Sequence, residues 1–178
     1  MTDVANDRPS RRMWKYGVAV LVLLLVGYLL PEPRVIPVAG ATSADWHKDT
    51  FWFEPWGSSG VHKGMDIFAA KNTPILATTH MLILYRGEWR KGGKVVIGLG
   101  PKWRLHYFAH LNDNNVDGGH LLTAGSVLGY VGDSGNARGK PAHLHYAIVS
   151  LIPIPWHIDN STQGYKKAFY LDPVEYLR

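Results

Sequence analysis

His143 and His145 sit two apart in PAHLHYAIV (Pro141–Val149), a run rich in β-branched and aromatic residues that reads as a strand. Residues i and i+2 of a strand point to one face, about 6–7 Å apart. Two imidazoles so placed can serve one metal ion and the water bound to it. Upstream lie His62 and Asp66 in VHKGMDIF, and His110 in LHYFAHL. These residue types suit a zinc hydrolase, because zinc takes imidazole nitrogen and carboxylate oxygen at about 2.0–2.2 Å and a catalytic site keeps one position open for water.

The spacing of His62 and Asp66 restricts how they can meet. On a straight strand they stand about 13 Å apart, too far for one ion. A helix brings them to about 5–6 Å, but Gly64 and the strand-like MDIF argue against a helix. A kinked entry into a strand, with Gly64 at the bend, is the remaining geometry. Three ligands drawn from His62, Asp66 and one of His143 or His145 meet the rule for a catalytic site. The spare histidine and His110 are then free for proton transfer or oxyanion stabilisation.

The rest of the chain has to position these residues. Its 178 residues suit one domain with a terminal appendage. Nineteen glycines and eleven prolines, scattered between short apolar runs, predict a mostly β fold with many turns. Strands are expected over 65–68, 75–77, 81–85, 94–99, 105–111, 126–131 and 143–151, and a short helical turn in YLDPVEYL at the C-terminus. With no cysteine, disulfides and thiolate metal sites are excluded, so a metal must rest on His and carboxylate. The formal charge is +5; residues 1–30 hold four basic and two acidic groups, leaving +3 for the remainder. That excess suits an anionic partner or matrix.

At the N-terminus a polar stretch with Arg8, Arg11, Arg12 and Lys15 precedes fifteen uncharged residues, Tyr16–Leu30. A basic flank before an apolar run predicts a single membrane-spanning helix over 16–30, with residues 1–15 cytoplasmic and the domain outside. The alternative is secretion after cleavage near Ala39-Gly40-Ala41. Residues 31–44, PEPRVIPVAGATSA, read as a proline-stiffened linker, and residues 45–178 as the catalytic domain. Arg86, Arg90, Lys91, Lys94, Lys102 and Arg104 face one acid, Glu88, in the same stretch; they suit an anionic polymer or the solvated side of hairpins. Tyr85, Trp89 and Trp103 interleave with them. His106 has the strand parity of His110 and so is a candidate for the same groove, whereas His47, His80, His120 and His157 lack spacing partners.

HKGMD, YFAHL and HLHY, in this order, resemble the motifs of the lysostaphin-type (LytM-like) zinc metallopeptidases, which cleave peptide bonds in bacterial peptidoglycan. PVAG at 37–40, DIFAAKNTPILA at 66–77, GSVLGYVGDSGNARGKPAHLHY at 125–146 and LDP at 171–173 extend the likeness over most of residues 37–178. The resemblance implies one zinc ion held by His62, Asp66 and His145, with His110 and His143 acting in catalysis. It also implies an antiparallel β-sheet with the site in a groove, and peptidoglycan peptides as substrate. One departure is Ala147, where many members carry Glu. A non-catalytic peptidoglycan-binding or hydrolase-activating module of the same fold is the alternative, and a regulatory protein partner is compatible with either. Export to the periplasm or beyond leaves nucleic acid out as a partner.

Overall fold

The computed structural model describes residues 10–178, with side chains from residue 13. Among the described residues nine strands form one antiparallel sheet: β1 (Met65–Phe68), β2 (Pro74–Leu76), β3 (Met81–Trp89), β4 (Gly93–Gly100), β5 (Arg104–Asn114), β6 (Leu121–Leu122), β7 (Val127–Val131), β8 (His143–Ser150) and β9 (Tyr170–Leu171). The main path runs β1-β8-β5-β4-β3-β6; β7 pairs with both β2 and β5, and β9 with β8. Helix α1 (Ser10–Leu29) precedes the sheet and α2 (Pro173–Leu177) closes the chain. Asp172 caps α2, its side chain accepting from Val174 N–H, and Pro173 fills the first helical position, where no N–H is needed. The alternating apolar residues of the strands meet on one side in a core that includes Met65, Ile67, Ile83, Phe108, Leu128, Leu144, Tyr146 and Ile148.

Strand β5 departs from regular pleating at one place. Phe108 pairs with Val96 but Leu111 with Lys94, so β5 carries one extra residue there, and His110 takes a left-handed φ of +65°. In a regular strand positions 106 and 110 share a face; the extra residue breaks that parity. His106 therefore points into the core, fully buried, with Nδ1 2.7 Å from the Tyr146 hydroxyl, and does not line the groove. The same bulge is where β5 leaves β8 for β7: Ala109 still pairs with His145, whereas Leu111 pairs with Val131.

One expectation about the N-terminus is corrected. The predicted membrane span over 16–30 is not supported: among the described residues no helix is long and apolar enough to cross a membrane. Fifteen uncharged residues rise only about 22 Å as a helix, short of a hydrocarbon core of about 30 Å. Part of the expected cytoplasmic tail, residues 1–9, lies outside the described residues. Instead α1 docks on the turn Pro101–Trp103, where Trp103 Nε1 donates to the Leu24 carbonyl at 3.1 Å and its indole packs against Gly27. Within 31–44 the chain also pairs with the sheet. Leu76 N–H donates to the Pro37 carbonyl and Ala39 N–H to that of Pro74, and Val38 is buried against Ile75, so this segment edges β2. Glu32 is pinned by Arg104 at 2.7 Å and Lys102 at 3.0 Å, which removes two cations from the expected basic patch.

Burial holds the His106 ring neutral, its pKa lowered to about 3, and the nearby Arg104 adds to the effect. The unfolded chain takes up this proton near pH 6.5, so acid favours unfolding. Stability is expected to be full above about pH 6.5 and to fall toward pH 3, by a total on the order of a few kcal/mol. Melting temperature measured against pH should show a shallower acid slope in His106→Gln than in the parent chain.

Candidate metal centre and active site

The pairing of β1 with β8 sets Asp66 opposite His145, and β8 with β5 sets His145 opposite Ala109. Cross-strand partners share a face, so Asp66 and His145 project together into the groove. His62 reaches them from the irregular segment just before β1. Gly64 allows that entry, since a Cβ there would lie 2.5 Å from the Tyr146 carbonyl oxygen and 3.0 Å from His145 Cε1. His62 is fully buried, its ring stacked on Trp56 at 4.0 Å between centroids.

Three ligand atoms converge. His62 Nε2 lies 3.2 Å from Asp66 Oδ1 and 3.2 Å from His145 Nδ1, and His145 Nδ1 lies 2.8 Å from Asp66 Oδ1. Tetrahedral zinc with bonds of about 2.0–2.2 Å needs its ligand atoms a little over 3 Å apart; the two edges from His62 come near this, and the His145–Asp66 edge is shorter. The donor chemistry agrees. His62 Nδ1 is 3.2 Å from two backbone carbonyls, Asp49 and Thr50, and as the proton donor to them it leaves Nε2 with a lone pair facing the Asp66 oxygen. A cation between these atoms removes the conflict. His62, Asp66 and His145 could thus hold a metal ion. Burial alone pushes the Asp66 carboxyl up, but the His145 and His62 rings facing it outweigh that effect and hold the group well below the usual carboxylate range.

His110 and His143 stand beside this triangle, 5.0 Å apart between ring centroids, with His110 6.1 Å from His145. Each has Nδ1 against a backbone carbonyl: His110 on Ser134 at 2.9 Å, His143 on Pro141 at 2.8 Å. Both rings therefore present Nε2 to the groove, and His143 Nε2 is 3.9 Å from Asp66 Oδ2. Burial lowers the His110 pKa to about 4, with the neighbouring His145 and His143 rings adding to the shift, so its Nε2 is a free acceptor at neutral pH.

Sequence spacing groups the five histidine and aspartate positions, but it does not reveal what orients them. Ser134 does so for His110: its carbonyl takes the Nδ1 proton, while its hydroxyl donates to the Leu111 carbonyl at 2.8 Å and accepts from Lys94 N–H at 2.9 Å. In the sequence Ser134 is only part of a glycine-rich turn. Trp56, which stacks on His62, carries no spacing signal either. On the far flank Tyr107 meets His145 edge-on at 6.1 Å and stacks on Trp89, which in turn lies against Tyr85. Trp103 is engaged by α1 and is not part of that ladder.

Residues 60–153, just over half of the chain, match the pattern of Peptidase family M23. The chain belongs to Peptidase family M23. It is 34% identical over 114 residues to the L-Ala--D-Glu endopeptidase of Bacillus subtilis (strain 168), covering 58% of this chain and 35% of that one. It is 30% identical over 112 residues to the glycyl-glycine endopeptidase ALE-1 of Staphylococcus capitis, covering 58% and 30% respectively. The chain therefore spans about a third of the length of these relatives. Among solved structures, the catalytic domain of lysostaphin from Staphylococcus simulans superposes with a TM-score of 0.54 at 25% identity, over 69% of this chain and 84% of that one. The mostly antiparallel sheet is the M23 peptidase fold.

Replacing Gly64 by alanine forces a methyl group onto the Tyr146 carbonyl and the His145 ring. Gly64→Ala is expected to cost about 1–3 kcal/mol, read from the urea midpoint of unfolding.

Proposed function

We propose that this chain is a zinc-dependent endopeptidase that hydrolyses peptide bonds in the cross-links or stem peptides of bacterial peptidoglycan, using one zinc ion. This reading rests on the convergence of His62 Nε2, Asp66 Oδ1 and His145 Nδ1 on one point, with the Nε2 atoms of two further histidines turned toward it. Membership of Peptidase family M23 and relatives named as endopeptidases support it.

His62, Asp66 and His145 would hold the zinc. When bound, zinc supplies a Lewis acid that polarises a carbonyl and lowers the pKa of water to about 7. There is no HExxH glutamate in the chain, so proton transfer falls to imidazole. His110, neutral because it is buried, takes a proton from the attacking water at Nε2 and hands it to the departing amine nitrogen. His143, fixed through Pro141, donates toward the oxygen on which charge develops when it carries the Nε2 proton. The Ser134 and Pro141 carbonyls keep both rings from rotating out of line.

The substrate lies outside the cytoplasmic membrane, so the chain is proposed to act there, in the periplasm or beyond. The basic stretch and apolar run before Leu30 are then its export signal. A reporter active only after export, fused behind Arg178, checks this.

The full chain incubated with purified cross-linked sacculi should release fragments, read by mass, and a zinc chelator should stop the release. A folded, zinc-loaded chain that cleaves nothing would favour the binding or activating role instead. Alanine at His62, Asp66 or His145 is expected to abolish zinc retention measured by atomic absorption. Alanine at His110 or His143 should keep the zinc but lower turnover by about 100-fold or more. Full activity in His145→Ala sinks the assignment.

A further inference from the structure

An open depression of about 500 Å³ adjoins His143 and is lined by Phe68, Ala69, Pro141 and Ala142, all apolar. Its walls are the residues that position His143. Phe68 is the cross-strand partner of His143, and the two rings meet edge-on at 5.7 Å between centroids. Ala142 precedes His143 in the chain, and its carbonyl accepts the Ala69 N–H at 3.4 Å, tying the two sides of the depression together. The Pro141 carbonyl accepts the His143 Nδ1 proton. The depression thus borders His143 through Phe68, Pro141 and Ala142.

We infer that the depression walled by Phe68, Ala69, Pro141 and Ala142 receives an alkyl side chain of the residue beside the scissile bond, so that the site selects alanyl-type peptides over glycyl ones. The inference rests on the endopeptidase reading above and narrows its substrate class. An apolar surface without a polar side chain gives a glycyl residue nothing to bury, whereas a methyl group leaves water on contact with it. One missing carbon in a hydrophobic pocket changes discrimination by about 10- to 200-fold. The named relatives fall on both sides of this division, one cutting at L-Ala--D-Glu and one at glycyl-glycine.

The test uses the full zinc-loaded chain and peptides identical but for Ala-Ala, in each combination of L and D configuration, or Gly-Gly at the central bond. At least one alanyl peptide should exceed the glycyl peptide in kcat/KM by about tenfold or more. Ala69→Phe, which fills the depression, should collapse that ratio toward one with zinc content unchanged. Equal kcat/KM in the parent chain overturns the inference, as does an unchanged ratio in Ala69→Phe. If neither the peptides nor sacculi are cleaved, it is the endopeptidase reading that fails. Calorimetry of the same peptides on His110→Ala then decides the subsite by itself: tighter alanyl binding supports it, and equal dissociation constants overturn it.

Discussion

An ionised carboxylate that is largely removed from water must be surrounded by compensating partners, and in this chain that demand falls on Asp66. Its oxygen meets His62 and His145, and the His62 ring is already committed through Nδ1 to two backbone carbonyls. Register carries the rest. The β1–β8 pairing that sets Asp66 opposite His145 also sets Phe68 opposite His143, so one ladder fixes two members of the His–Asp cluster and the wall of the adjoining depression. A one-residue slip of β1 would send Asp66 and Phe68 to the core face, while pairing with β5 keeps His145 in place.

The second constraint is the bulge in β5. A left-handed residue that is not glycine is uncommon and persists where its surroundings over-determine it. At His110 they do so through two loops. Its own N–H donates to Gly92, its ring to Ser134, and Asn136 N–H to Lys91, so the turn between β3 and β4 and the turn before β8 close behind the ring. Gly93 permits that approach: its φ is +63°, and a Cβ would fall 2.4 Å from Gly135 N. His110 thereby turns to the groove while His106, four residues earlier, stays in the core.

The N-terminal region is bound to the same sheet from its far end. Trp103, itself left-handed, holds α1, and Arg104 at the start of β5 holds Glu32 just after α1. The side chains of Val20 through Val26 remain exposed, leaving an apolar helix on a domain whose His–Asp cluster lies elsewhere on the sheet. Cations that cluster in the sequence are parted by the fold: Lys102 and Arg104 turn to Glu32, and Arg86 to Asp117.

Residue types and local spacing by themselves determined much here. Short apolar runs between glycine- and proline-rich turns marked the principal strands, and His143 and His145 had to share a face because strand geometry leaves no alternative. The absence of cysteine restricted any metal to His and carboxylate, and the order of HKGMD, YFAHL and HLHY pointed to the family. Tertiary structure alone decided the rest. Whether His62 meets Asp66 depends on the room Gly64 leaves beside the Tyr146 carbonyl, which no local pattern encodes. The face of His110 depends on an extra residue in β5 that exists only relative to β4. Ser134 and Trp56 act on residues 24 and 6 positions away through contacts that form only when distant segments close on each other. The apolar run up to Leu30 matched a membrane pattern by composition, but its docking on Trp103 is a matter of three-dimensional geometry. Periodicity describes an element's own faces; it is silent on which other element arrives at them.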